Sequence, residues 1–328
     1  MTTTYSVPSE HIRPFDVWHD LLPVANLIET SFADKLSREG KALVRNMRSS
    51  AKDKRFKRWA VRAAGRVSMP LSGFVWDNDG DVIGNLSFIP FRSLLHHYYL
   101  IANVAVHADY QRQGIGSALV KRALQDLDSR NLDGIWLQVD ASNQAAIDLY
   151  AKIGFQKHAR RTTWVRKAQR SKEIAPENFS EEITVKLRST RHWESQRKWL
   201  KRTYPPSLRW YLPLRAWDLR GGVLGMLTRF FFESPRVKQW SATDADGELM
   251  GVLSWQSTTT FEDKLWLAAS PKCEETVANA FFPFLDHTER FKRSLRLDYP
   301  AGKAVSSLEK AGFTRVRTLI WMKLGMKA

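Results

Sequence analysis

The sequence predicts a mixed α/β chain in which one α/β domain is laid down twice, each copy a mostly antiparallel sheet flanked by helices. Three observations carry this. "DNDGDVIGNLS" at 77–87 returns as "DADGELMGVLS" at 244–254. "LQVDASNQAAIDLYAKIGF" at 137–155 aligns with "LRLDYPAGKAVSSLEKAGF" at 295–313. Finally, the apolar run "YYLIANVAV" at 98–106 passes through a glycine turn into Leu119, Val120, Ala123, Leu124 and Leu127, which fall at helical spacing. The two matches keep their order, at offsets of 167 and 158 residues. That period suits a duplicated domain and is too long for a solenoid repeat.

The elements follow in order. "HIRPF" at 11–15 opens the first copy as a short strand and leads into a helical region. Residues 74–88 form a hairpin about an Asp-Gly turn, whose central residues tolerate the positive φ that such turns need. The strand at 98–106 comes next, then the glycine turn and its helix. A further strand leads to a helix ending at Gly154, a residue suited to a left-handed stop, and Phe155 begins the last strand. The second copy repeats this order. Residues 169–182 are polar, contain Pro176 and lack apolar periodicity, so they read as a linker between domains at 1–168 and 183–328.

Composition narrows the setting. The lone Cys273 excludes an internal disulfide framework and a cysteine-cluster metal site, and no metal is expected. The opening "MTTTYSVPSEHIRPF" lacks a basic head followed by an apolar stretch, and no apolar run reaches membrane-spanning length, so a cytoplasmic setting is expected. The formal net charge of +17 attracts anions: an acidic substrate, RNA or an anionic membrane surface.

Gly114 and Gly116 sit where a strand turns into a helix. The first backbone N–H groups of a helix have no internal partner and lie at the positive end of its dipole. Glycine lets an anion approach them closely, which suits a phosphate or pyrophosphate. The spacing is not that of a P-loop, which ends in Gly-Lys-Ser/Thr, nor that of the three-glycine dinucleotide fingerprint.

Gln-x-x-Gly-x-Gly after Val-x-Val, with Asn143, Tyr150 and Gly154-Phe155 at these distances, resembles the GNAT superfamily of N-acetyltransferases across residues 5–165. The whole chain then reads as two tandem GNAT-fold domains with a degenerate second copy. The resemblance implies an enzyme that moves an acetyl group from acetyl-CoA to an amine. It implies that backbone N–H groups of Gln111, Arg112, Gln113, Gly114, Ile115, Gly116 and Ser117 hold the pyrophosphate. Val104, Ala105 and Val106 would offer their strand edge to the pantetheine arm. Asn143 would contact the cofactor, with a plain helix cap as the alternative. Tyr150 would protonate the departing thiolate; on spacing alone it reads as a core residue. The acceptor stays open.

Two departures stand out. Many family members carry a carboxylate on the strand before the loop, where this chain has Ala102 and Asn103. Candidate bases elsewhere are Asp109, His96, His97 and His107. In the second copy, 265–282 lacks a Gly-x-Gly turn and Leu308 stands where the first has Tyr150, so that copy is not expected to bind CoA in the usual way. Residues 45–66 and 199–232 mix basic and aromatic side chains. They lie in the region where the family builds its acceptor site.

Overall fold

The computed structural model describes residues 9–33, 36, 38–93, 96–168, 183–212, 214, 219–220, 235–288 and 291–325. The proposed linker at 169–182 and much of 213–234 lie outside them. The described residues form two compact units: those up to Ala159 together with those from Ile320 on, and those from Arg160 to Leu319.

In unit 1, β1 (Ile12–Pro14) is followed by α1 (Leu21–Ser31), α2 (Arg38–Ser50) and α3 (Lys54–Ala63). The hairpin is β2 (Ser72–Asn78) and β3 (Asp81–Arg92). Asp79 and Gly80 between them have φ of 52° and 95°, the left-handed pair that a two-residue hairpin turn requires. Then come β4 (His97–Val106), α4 (Ile115–Asp128), β5 (Gly134–Asp140), α5 (Gln144–Ile153) and the start of β6 (Phe155–Arg166). The strand order is β1-β2-β3-β4-β5. α4 buries Ile115, Leu119, Val120, Ala123 and Leu127. Each large aliphatic side chain removed from water in this way stabilises the unit by about 1.5–3 kcal/mol.

Unit 2 repeats the order with β7 (Thr184–Leu187), α6 (Trp193–Thr203), α7 (Pro206–Arg209), β8 (Val237–Thr243), β9 (Leu249–Gln256) and β10 (Glu262–Ala269). α8 (Glu274–Thr288), β11 (Ser294–Pro300), α9 (Val305–Lys310) and the start of β12 (Thr314–Leu324) complete it. Its core gathers Val277, Phe281, Phe282, Leu285 and Leu308.

The duplicated segments follow chain order, whereas the compact units exchange the C-terminal parts of their last strands: β6 belongs to unit 2 from Arg160 on, and β12 to unit 1 from Ile320 on. Arg161–Arg166 of β6 pairs antiparallel with Leu295–Pro300 of β11 in unit 2. Ile320 and Met322 of β12 are buried in the core of unit 1. Each apolar strand has a buried place in the sheet it joins, and no local signal says which sheet that is. No described helix is long and apolar enough to cross a membrane.

Candidate active site

The site of unit 1 begins with a defect in β4. From Tyr98↔Gly134 to Ile101↔Leu137, β4 pairs in parallel with β5, and the pairing stops there. On its other side, β4 pairs antiparallel with β3, but the register jumps: Ser87 faces Ala102 while Asn85 faces Ala105. One extra residue on β4 makes a β-bulge, which bends a strand. Asn103 takes up the bulge at φ 52°, a left-handed conformation that asparagine tolerates better than most side chains. Its carbonyl accepts from Asn85 Nδ2 at 2.8 Å. Past Ile101 the two strands therefore diverge, and Ala102–Val106 leave the parallel pairing with β5.

At the open end β4 runs into the turn. His107 caps a single turn of 3-10 helix, its ring accepting from Asp109 N–H. Gln111 Nε2 donates to the Val106 carbonyl at 3.1 Å, tying the turn back to the strand. Arg112 (φ 65°) and Gly114 (φ 86°) are both left-handed. For arginine that is an uncommon conformation, of the strained kind that clusters at functional sites. Gly114 is the N-cap of α4, and Ala118 N–H makes the first bond back to its carbonyl at 3.0 Å. The amides of Ile115, Gly116 and Ser117 precede that bond, at the positive end of a 14-residue helix. Gln111, Arg112, Gln113 and Gly114 are exposed, while Gly116 and Ser117 are half-buried. A Cβ at Gly116 would meet only Val106 Cγ2, at 3.9 Å.

Tyr150 lies on α5, buried to 6% exposure with its ring edge-on to Phe155. It belongs to the packed cluster against which Val104 and Val106 rest. Burial pushes its phenol up to about 12, so it stays protonated at neutral pH. Asn143 is the N-cap of α5, its side-chain oxygen accepting from Ala146 N–H at 3.1 Å. The cap consumes the oxygen and leaves the amide nitrogen as a donor.

The suggested bases separate by position. His97 begins β4, nine residues from Val106, or about 30 Å at strand spacing. It bonds to Arg92 and Asn131, and burial lowers its pKa. His96 stacks on Tyr98 and faces Asp133 at that same end. Neither belongs to the open end of the strand. His107 and Asp109 do, the first half-buried and the second exposed. The polar group set at the bulge itself is Asn85, Ser87 and Asn103. Asn85 is fully buried, and its Oδ1 has no partner among the described residues. An asparagine inside "IANVAV" was the sequence signal for this cluster.

Unit 2 holds the same divergence in a filled state. β10 pairs with β11 only from Glu262↔Ser294 to Leu265↔Leu297. The pair Gly251↔Ala269 is equivalent to Gly84↔Val106, so Leu267 takes the place of Val104. Leu267 N–H donates to the hydroxyl of Tyr204, a fully buried side chain just past α6. Arg202 donates to the Ala269 carbonyl at 2.8 Å. Arg161 is buried beside them, paired with Asp298 and donating to the Thr203 carbonyl. α8 opens on Glu274 and Glu275, carboxylates where the other unit has a glycine turn. Leu308 is buried in the core.

The model of the acetyltransferase (GNAT) family matches residues 44–155. Over 53 residues the chain is 51% identical to the [ribosomal protein bS18]-alanine N-acetyltransferase of Escherichia coli (strain K12), covering 16% of this chain and 36% of that protein. Over 95 residues it is 33% identical to an N-alpha-acetyltransferase of Sulfurisphaera tokodaii, covering 25% of this chain and 55% of that one. The chain thus spans about a third of the length of the first curated relatives it matches. A GCN5-related N-acetyltransferase from Sphaerobacter thermophilus superposes with a TM-score of 0.57 at 15% identity, covering 98% of both chains, a likeness of fold. The segment that carries the bulged strand, the glycine turn and Tyr150 is thus the part of the chain that matches the acetyltransferase (GNAT) family.

Proposed function

We propose that unit 1 binds acetyl-CoA and transfers its acetyl group to an amine by direct attack on the thioester. One observation carries this: β4 parts from β5 after Ile101 and runs straight into a left-handed glycine turn at a helix N-terminus. The pyrophosphate rests on the amides from Gln111 to Ser117, where the helix dipole favours negative charge. The pantetheine arm pairs with the open edge of Val104, Ala105 and Val106. A backbone N–H of that edge polarises the thioester carbonyl, and such preorganised donors are commonly a large part of catalysis. The neutral amine attacks the carbonyl carbon, the C–S bond breaks, and Tyr150 gives its proton to the departing thiolate. Burial keeps that phenol protonated at neutral pH, so the proton is present to be given. The Asn143 amide contacts the cofactor. A solvent chain at Asn85, Ser87 and Asn103 takes the proton released by the amine.

Unit 2 holds no second acetyl-CoA. The Leu267 N–H, at the place equivalent to Val104 on the open edge, is already bonded to Tyr204, and where unit 1 has its glycine turn α8 opens on Glu274, tied to Arg202 at 2.8 Å. A linker at 169–182 separates the duplicated segments 1–168 and 183–328.

A second reading, acetyl-CoA binding without turnover, rests on the absence of a carboxylate at Ala102 and Asn103. Release of CoA thiol from acetyl-CoA across a panel of amines decides between them. The panel includes peptides beginning with alanine, in view of what the bS18 enzyme modifies. Amine-dependent release supports transfer; binding with no release for any amine supports the second reading. The protein is expected to act in the cytoplasm.

A further inference from the structure

α3 presents a charge pattern that acetyl-CoA binding does not use. Arg55, Arg58 and Arg62 are exposed and spaced i, i+3, i+7, which puts them within about 60° of one another on one face of the helix. Trp59 follows about 40° beyond Arg55 and is 42% exposed, its ring tilted against Phe56. α3 contains no acidic residue, and the carboxylate of its N-cap, Asp53, accepts from the Arg55 and Phe56 amides. Among the described residues none of the three arginines has a carboxylate partner, whereas Arg48 in α2 is tied to Glu29 at 2.5 Å.

The opposite face of α3 is already used. Ala60 and Ala63 pack with Val17 and Leu71, and Phe56 rests against them. A helix that lies on a membrane sinks its apolar face among the lipids; here that face is inside the protein. What remains outside is a row of guanidinium groups beside an indole. Guanidinium groups pair with phosphate oxygens through parallel N–H donors. An exposed indole beside a cationic track is a platform on which an unpaired base stacks.

We infer that the outer face of α3 binds single-stranded RNA, with backbone phosphates on Arg55, Arg58 and Arg62 and a base on Trp59. The net charge of +17 favours the encounter with such a partner.

The test is fluorescence anisotropy of a labelled single-stranded RNA with the full chain, repeated across salt concentrations. Wild-type binding weakens as salt rises. Replacing all three arginines with alanine lowers the slope of log K against log salt by about 2, since each phosphate contact on a single strand contributes about 0.7. Trp59→Ala weakens binding about 5- to 150-fold, and Trp59→Phe restores most of it. Circular dichroism and the acetyl-CoA-induced shift in melting temperature report whether each variant is folded. If the triple variant fails to fold, Arg58→Ala alone lowers the slope by about 0.7. The inference is overturned if the wild type does not bind RNA at low salt, or if the folded arginine variants keep its affinity and slope. It is also overturned if Trp59→Ala binds as wild type, or if phosphatidylserine vesicles bind the arginine face while RNA does not.

Discussion

Gly116→Asp separates the cofactor site from the fold that carries it. The variant has room in the free protein: a Cβ there meets Val106 Cγ2 at 3.9 Å, ordinary contact. A carboxylate in the first turn of α4 favours the helix by about 0.3–1 kcal/mol. Unliganded stability should therefore hold. With acetyl-CoA the sign reverses, because the carboxylate competes with the pyrophosphate for the same amides. Two unit charges about 4 Å apart at an effective dielectric of about 20 repel by about 4 kcal/mol, roughly a thousandfold in affinity. At a concentration about 100 times the dissociation constant, acetyl-CoA stabilises the wild type by about 2.7 kcal/mol. For a domain of this size that is about 5–10 °C in melting temperature. The same concentration is only about a tenth of the variant's dissociation constant and stabilises it by under about 0.1 kcal/mol. Thermal melts of both proteins with and without acetyl-CoA measure the difference. A folded variant that keeps the wild-type shift would place the cofactor away from the turn and refute the reasoning.

Tyr150→Phe should keep acetyl-CoA affinity and lower the transfer rate, by up to about 10²–10⁴-fold where thiolate departure limits the rate; wild-type turnover under those conditions would return Tyr150 to a packing role. Because burial holds its phenol up to about 12, the wild-type rate should rise with pH as the amine loses its proton, with no falling limb assignable to Tyr150 below about pH 11. Calorimetry should find one acetyl-CoA per chain, and two sites would contradict the filled edge of β10. Tyr204→Phe leaves the Leu267 N–H without its partner, and a denaturant titration should show a loss of about 1–3 kcal/mol. Burial raises the phenols of Tyr150, Tyr204 and Tyr299. Their contribution to stability is full below the unfolded value of about 10 and is lost as pH rises from there through the folded values, so denaturation midpoints should fall above about pH 10.

The sequence carried the parts of the fold that local chemistry dictates. The Asp-Gly hairpin, the apolar face of α4 and the stop at Gly154 each follow from conformational preference or spacing, and so does the need for glycine at 114, whose φ is 86°. The bulge at Asn103 was not legible, because its register is set by Asn85 and Ser87 on another strand. Nor was the exchange of terminal strands: 155–166 and 314–324 have equivalent patterns, and the choice of sheet is made by tertiary packing. Tyr204 reaches the backbone of Leu267 from 63 residues away, a contact no spacing predicts. Asn143 had two readings; its role as a helix cap is visible in the structure, and its cofactor contact is a proposal.

Acetyl transfer itself is the central claim, and labelled acetyl-CoA tests it most directly. Wild type and Gly116→Asp are incubated side by side with each amine that supports thiol release, and the label is followed into the acceptor. The account predicts that wild type moves the label from CoA to the amine in step with thiol release, while Gly116→Asp leaves it on CoA. A wild type that binds acetyl-CoA in the turn yet passes no label to any amine would contradict it.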